Sequence, residues 1–257
     1  MRKHSEPTII HTGRDLLLLP IGGSRLFAMS CDAAGGIGAK LRDRVKTSPR
    51  VVGRFTARVA MMEVLAIGAD PVSVAATLSV EPKPSGNQIL KGIKDEIREA
   101  RTGKLPILCS SEKNVTVSQT GIGVTVLGVL RRSQVMIGKC KPGDELVAIG
   151  EPRVRKEVLE GARRGIIADT GDVCKLRNLD FVHELIPVGS KGILHEATTL
   201  ANDSELVLRL ANSNIDLRKS AGPSCVLLCA IANGTFDQLK RVMKRKPLNK
   251  IGFLTTG

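Results

Sequence analysis

Two segments of the chain combine acidic residues with glycines at a spacing that suits phosphate and metal chemistry. In residues 30–40, Ser-Cys-Asp-Ala-Ala-Gly-Gly-Ile-Gly-Ala-Lys, Asp32 ends an apolar run and is followed by three glycines and a lysine. Glycine lacks a Cβ, so backbone N–H groups there can approach an anion closely. Residues 60–71 form an apolar helical pattern that carries Glu63 and ends in Gly-Ala-Asp-Pro. Because carboxylates suit Mg²⁺, the two segments predict a site for a metal-bound polyphosphate.

Each of these residues also has an ordinary structural explanation. Asp32 is predicted to bind metal and take part in catalysis, although Asp before small residues also forms turns. The backbone amides of Gly35, Gly36 and Gly38 are predicted to hold the polyphosphate, although glycines serve turns as well. Lys40 is predicted to contact phosphate as a flexible point charge, and its alternative is a solvated surface lysine.

Hydrophobic periodicity predicts the elements that must position these residues. Strands at 15–19 and 25–30 form a hairpin that leads into a loop at 32–40. Ser48 is predicted to cap a helix that has Pro49 in its first turn and ends at Gly68. The other predicted elements are strands at 71–80, 105–109, 121–130, 145–149, 224–231 and 250–254, and helices at 86–101, 154–164, 190–200 and 235–244.

The alternation of strands and helices predicts an α/β layered fold. The stretch Lys-Cys-Lys-Pro-Gly at 139–143 interrupts the apolar pattern. It predicts a boundary between an N-terminal domain, residues 1–137, which carries the predicted polyphosphate- and metal-binding residues, and a C-terminal α/β domain, residues 138–257.

Composition argues against several classes of protein. The 257 residues contain no apolar run long enough for a membrane span, and without a signal-peptide pattern we expect a cytoplasmic protein. The net charge of +14 would suit nucleic acid, but the chain has no Trp or Tyr and only five Phe for base stacking. A positive field also attracts nucleotide phosphates. We therefore expect a small-molecule substrate and no nucleic-acid or membrane partner.

The order of these motifs resembles the aminoimidazole ribonucleotide synthetase (PurM-like) superfamily. Residues 32–41 are similar to an expanded form of its Asp-Gly-Val-Gly-Thr-Lys-Leu loop, and Met62-Glu63 falls on its Asn-Asp pair. Residues 68–71 are similar to its Gly-Ala-Glu-Pro, and residues 141–147 to the opening strand of its second domain. The resemblance implies a mixed α/β (α+β) fold of two domains and a homodimer formed by the N-terminal sheets of two subunits.

The same resemblance implies ATP and Mg²⁺ as cofactors and extends the predicted site. Ser110-Ser111-Glu112 is similar to the superfamily's Gly-Gly-Glu/Asp turn. Glu112 is thus implied as a third metal ligand beside Asp32 and Glu63, and Glu63 as a second catalytic acid. Ser111 could donate a hydrogen bond to phosphate. Asn114 could contact ribose or acceptor hydroxyls.

Within the superfamily the chain most resembles the α-ribazole kinases. The shared features are the basic opening Arg2-Lys3-His4 and the segments 31–38, 52–60 and 118–121. This implies a kinase that phosphorylates the 5′-hydroxyl of α-ribazole in salvage of the cobalamin lower ligand. Two alternatives stay open. One is a thiamine monophosphate kinase or another ATP-dependent enzyme of the superfamily. The other is a non-catalytic nucleotide-binding protein, because Glu63 and the paired serines depart from the superfamily pattern.

Overall fold

The first half of the chain forms a sheet covered on one face by a long helix. The computed structural model describes residues 10–257. The elements of this half are β1 (Ile10–His11), β2 (Leu16–Pro20), β3 (Arg25–Gly35), β4 (Ile37–Gly38), β5 (Val45–Lys46), α1 (Pro49–Ala66), β6 (Asp70–Leu78), α2 (Asn87–Glu99), β7 (Ile107–Ser111) and β8 (Gly121–Arg131).

Six of these strands form one sheet in the order β1-β2-β3-β8-β6-β7. Its neighbouring strands are antiparallel except β6 and β7, which are parallel because α2 makes the crossover between them. The short strands β4 and β5 form a separate parallel pair. Helix α1 packs against β3 and β8, and α2 packs against α1.

Helix α1 begins where the sequence predicts. The Ser48 side chain accepts a hydrogen bond from the Val51 N–H at 3.4 Å, and Pro49 is the first helical residue. Residues 60–66 are all buried, because α1 lies between the first sheet and elements of the second half. Glu63 is therefore buried together with the apolar residues around it.

The predicted loop at 32–40 is wrong in its first part. Strand β3 continues to Gly35, and Asp32 pairs with Val124 of β8. Strand β8 pairs with β3 along its whole length, so that Gly121 lies opposite Gly35. These backbone hydrogen bonds keep residues 32–35 extended although their side chains are small. Asp32 thus projects from a strand and does not end one.

The second half of the chain forms a second sheet with helices around it. Its elements are β9 (Glu145–Gly150), α3 (Lys156–Arg164), α4 (Thr170–Leu176), β10 (Val182–Val188), α5 (Ile193–Asp203), β11 (Val207–Leu210), β12 (Val226–Ile231), α6 (Phe236–Val242) and β13 (Leu248–Thr255). The five strands are antiparallel and lie in the order β10-β12-β9-β13-β11. Sequence periodicity missed α4, β10 and β11. Strand β10 is buried along nearly its whole length and so shows no alternation.

Among the described residues, one buried apolar cluster runs through both halves, and a second lies within the second half. Met61 and Leu65 of α1 belong to the same buried cluster as Val147 of β9 and Val173 of α4. The division into domains at residues 137 and 138 therefore stays a prediction. Within residues 10–257, no helix is both long and apolar enough to cross a membrane.

Candidate functional site

A small polar cavity lies where the start of β2, the buried half of α1 and the loop before α5 meet. Its volume is about 40 Å³, which is room for a water molecule or an ion. We call it the carboxylate cavity. Its charged and titratable lining residues are Arg14, Asp15, Glu63, Lys191, His195 and Glu196.

Glu63 is the most unusual residue of the carboxylate cavity. It is 7% exposed, and burial raises the pKa of its carboxyl group to about 8. The charge of Arg14 lowers that pKa, the charges of Glu196 and Asp15 raise it further, and no hydrogen bond from residues 10–257 contributes. A buried carboxyl group without such a bond is costly unless it binds a proton or a cation.

Arg14 brings a permanent positive charge to the carboxylate cavity. Its guanidinium group forms ion pairs with Glu184 and with Asp203, the latter at 3.2 Å, and donates to the carbonyl oxygen of Leu185 at 3.0 Å. These partners belong to the second half, so Arg14 connects the two halves. Because Arg14 already has two acidic partners, it compensates the charge of Glu63 only in part.

Glu196 lies in the first turn of α5. Burial raises the pKa of its carboxyl group to about 7, and the charge of Asp15 adds to this increase. The Gly189 N–H and the charges of Arg14 and Lys191 oppose it. The charges of Asp15 and Glu196 thus disfavour ionisation of Glu63, and the positive charges of Arg14 and Lys191 offset burial and repulsion in the cavity only in part.

Asp32 lies beside a second, larger cavity of about 380 Å³ between the two halves. Burial raises the pKa of the Asp32 carboxyl group to about 6, and the charge of Asp15 contributes to the increase. Asp15 therefore interacts with both Asp32 and Glu63. We call this larger cavity the apolar cleft; its lining includes Val51, Val52, Phe55, Val158, Leu159 and Pro223.

The predicted phosphate-binding glycines lie in residues 35–47, the glycine segment, where the chain satisfies its own polar groups. Gly36 has φ +70° and donates its N–H to the Thr120 carbonyl oxygen at 2.9 Å. A Cβ on Gly38 would collide with the Thr120 hydroxyl group. Gly35 lines the apolar cleft, and the Lys40 ammonium pairs with Glu81. The phosphate-binding role of these residues stays a prediction.

The turn that contains Glu112 follows β7, an edge strand of the first sheet that is three strands away from β3. Ser111 aligns with Ala34 across β8 and β6, which places it about 14 Å away at the usual strand spacing. The Glu112 carboxylate accepts N–H groups of Asn114 at 2.8 Å and Val115 at 3.1 Å, which lowers its pKa. The structure thus brings Asp32 and Glu63 towards Asp15, and keeps Glu112, Ser111 and Asn114 apart from them.

In residues 10–257, no group of three His, Cys, Asp or Glu side chains is spaced to hold a metal ion. The donor set of the carboxylate cavity nevertheless suits Mg²⁺, because its carboxylate oxygens are hard ligands. Glu63 has no competing hydrogen bond from the described residues. These carboxyl groups would have to lose their protons and move closer together to bind the ion. Arg2 and Lys3 lie outside the described residues.

Sequence reasoning missed Arg14, Asp15 and Glu196. A usable signal existed, because Gly189-Ser190-Lys191-Gly192 precedes α5 and Glu196 follows it by four residues. This repeats the combination of glycines and an acid that singled out Asp32. Asp15 had no comparable signal, because an acid at the start of a strand is ordinary.

Comparison with known proteins identifies the fold. No protein-family model and no curated protein matches the chain. Thiamine-monophosphate kinase from Stenotrophomonas maltophilia K279a superposes with a TM-score of 0.62 at 17% identity, covering 98% of this chain and 90% of that one. Hydrogenase maturation protein HypE in complex with ATP gives 0.62 at 16%, covering 95% and 80%. AaThiL complexed with AMPPCP and TMP gives 0.62 at 15%, covering 95% and 85%.

This chain therefore has the mixed α/β fold of thiamine-monophosphate kinase and HypE over nearly its whole length. The fold class implied by the sequence resemblance is confirmed.

Proposed function

We propose that this protein is an ATP-dependent phosphotransferase whose reaction centre is the carboxylate cavity. The observation that carries the proposal is Glu63, a buried carboxyl group that faces Asp15 and Glu196 without a hydrogen bond from the described residues. Proteins with this fold have been solved with ATP and with AMPPCP. A cluster of carboxyl groups beside a larger cleft suits a metal-bound polyphosphate.

Asp15, Asp32, Glu63 and Glu196 are the residues that would hold Mg²⁺. The ion would neutralise charge on the transferred phosphoryl group. The chain's own contribution is positioning: Glu184 and Asp203 of the second half hold Arg14 in place, and its charge lowers the pKa of Glu63. Glu112 stays a candidate ligand that the same experiment tests.

We propose the 5′-hydroxyl of α-ribazole as the phosphoryl acceptor. This rests on the sequence resemblance, and the apolar cleft beside Asp32 supports it with space for a ring system. Thiamine monophosphate is the second candidate, because two structures with this fold are a thiamine-monophosphate kinase and a protein solved with TMP.

The test is ADP release from Mg–ATP with each acceptor, combined with thermal stabilisation by Mg–ATP. We expect α-ribazole to give turnover. Turnover with thiamine monophosphate alone would favour the second candidate, and ATP binding without turnover would indicate a non-catalytic nucleotide-binding protein. Glu63→Gln and Glu196→Gln should lose the stabilisation by Mg–ATP. Loss in Glu112→Gln as well would support the third ligand predicted from sequence.

We further propose that two copies pair through the open face of the first sheet. Register places Cys31 and Leu108 in one row across β3, β8, β6 and β7, on the face opposite α1. Leu108 is 76% exposed and Met29, on the same face, is 37% exposed. Such an apolar face favours association. Light scattering should give a dimer mass for the wild type and a monomer mass for Leu108→Asp.

A further inference from the structure

Helix α2 carries a row of basic side chains on the surface of the molecule. Lys91, Lys94 and Arg98 are exposed and follow one another at intervals of three or four residues, so they lie on one face of the helix. Lys83 precedes the helix and Arg101 follows it, and both are exposed. We call these five residues the α2 basic strip. The linings of the carboxylate cavity and the apolar cleft consist of other residues.

The three lysines of the strip are not compensated by acidic side chains. Asp95 lies four residues after Lys91, a spacing that suits an ion pair, but its carboxylate pairs with Arg50 and Arg98 instead. The lysine ion pairs within residues 10–257 all involve lysines outside the strip. The strip is therefore a patch of positive charge that is open to an anionic partner.

The same lysines line an open groove together with apolar side chains. The groove has a volume of about 460 Å³ and is lined by Lys83, Pro84, Asn87, Gln88, Leu90, Lys91 and Lys94. Pro84 is exposed and Leu90 is half-buried. Positive charges around an apolar contact complement a protein segment that carries both acidic and apolar side chains.

The groove is preformed because α2 is fixed against α1. A Cβ on Gly53 of α1 would collide with the backbone of Ile89, and a Cβ on Gly92 of α2 would collide with the backbone of Arg50. The two helices therefore meet at backbone contact, which leaves α2 little freedom to shift. A preformed surface loses little conformational entropy when a partner binds.

Nucleic acid and an anionic membrane fit this surface less well. A phosphodiester backbone has no apolar group to place beside Leu90, and the strip has no aromatic side chain for base stacking. A helix that lies on a membrane inserts a wide apolar face, whereas the isoleucines of α2 are buried against the rest of the protein.

We propose that the α2 basic strip is a docking surface for an acidic segment of another protein. Carboxylates of that segment pair with Lys83, Lys91 and Lys94, and an apolar side chain of the segment lies against Pro84 and Leu90. This inference goes beyond the proposed function and does not depend on it, because the strip is separate from both cavities.

The test measures binding of a fluorescein-labelled peptide, made of glutamates with two leucines among them, by fluorescence anisotropy at physiological ionic strength. The strip variant combines Lys83→Glu, Lys91→Glu and Lys94→Glu. The matched control makes the same change in net charge at three exposed positions at and after the end of α6, with Arg241→Glu, Lys244→Glu and Arg245→Glu. We expect the strip variant to bind the peptide at least about tenfold more weakly than the wild type, and the control to bind it normally. Melting temperatures verify that both variants fold.

A second peptide, with serine in place of each leucine, should bind the wild type more weakly than the first. Equal binding of the two peptides, or equal losses in the strip variant and the control, would overturn the proposal, because net charge alone would then explain the binding. Absence of binding to the wild type would overturn it as well. Tighter binding of oligo-dT or of phosphatidylserine vesicles through the same lysines would also overturn it, because the strip would then serve nucleic acid or a membrane.

Discussion

The glycine segment and the carboxylate cavity both contain acidic residues, but their acids have opposite surroundings. In the glycine segment Asp43 is buried and accepts three hydrogen bonds, from the Lys40 N–H and from the N–H and hydroxyl groups of Thr120. In the carboxylate cavity Glu63 is equally buried and accepts none from the described residues. An acid that accepts several hydrogen bonds stabilises the fold, whereas one that accepts none from the described residues retains the capacity to bind a cation.

This difference shows that, in this chain, a buried acid is a better guide to the candidate site than a run of glycines. Gly36 and Gly38 have positive φ, and a Cβ would collide with Gln119 at the first position and with Thr120 at the second. Backbone conformation and internal packing therefore already favour glycine at both positions. The stronger functional signal is the Glu63 carboxyl group, which is buried, has a raised pKa and accepts no hydrogen bond from the described residues.

The largest expected effect is loss of stability when the glycine segment loses its central acid. Asp43→Ala leaves buried N–H and hydroxyl groups of Thr120 without an acceptor, which should cost about 3 kcal/mol. Urea unfolding measures the change. The control Asp237→Ala removes an exposed acid paired with Lys240 and should cost less than about 0.5 kcal/mol. Equal effects would contradict the structural role of Asp43.

Glycine substitutions test whether packing inside the glycine segment, and not phosphate binding, requires glycine there. In Gly38→Ala the new Cβ would lie 2.7 Å from the Asp43 Oδ2 atom and closer still to Thr120, so we expect a loss of about 2 kcal/mol. Gly35→Ala is the matched control, because nothing lies within 4 Å of a Cβ there. A Gly38→Ala variant that melts normally but no longer responds to Mg–ATP would instead favour the phosphate-binding role.

Glu63→Gln should stabilise the metal-free protein at alkaline pH. The pKa of Glu63 is raised to about 8 in the folded state, so ionisation opposes folding, and the wild type loses stability as pH rises from about 4.5 to 8. A neutral amide avoids this loss. We expect a gain of about 1–3 kcal/mol at pH 8.5 and little difference at pH 4.5. Thermal melts across this range measure it; a less stable variant at pH 8.5 would show that ionised Glu63 has a partner.

The smallest predicted effect is on ligand affinity. Protons compete with a metal ion for Glu196 and Glu63, whose pKa values are about 7 and about 8. Mg–ATP should therefore bind at least about tenfold more tightly at pH 8 than at pH 6. Calorimetry in two buffers of different ionisation enthalpy should also detect proton release. Affinity independent of pH would place the metal away from these acids.

Local patterns were sufficient for much of the fold. Ser48, Pro49 and Gly68 specify α1 through hydrogen bonds and backbone preferences within a few residues, and the alternation along β6 and β8 is equally local. The strand through Asp32 was misread because its partner β8 lies about 90 residues further along the chain. Strand β10 was missed because burial on both faces removes alternation.

By itself, the sequence determined the helices with strong caps, the alternating strands, the mixed α/β class and two of the acids in the candidate site, Asp32 and Glu63. Only the tertiary structure decided that Asp15 and Glu196 join them, that Glu112 binds its own turn, and that Lys40 pairs with Glu81. The physical reason is that capping and periodicity act over a few residues. A pKa shift or an unsatisfied carboxyl group depends on desolvation and on charges brought together from distant parts of the chain.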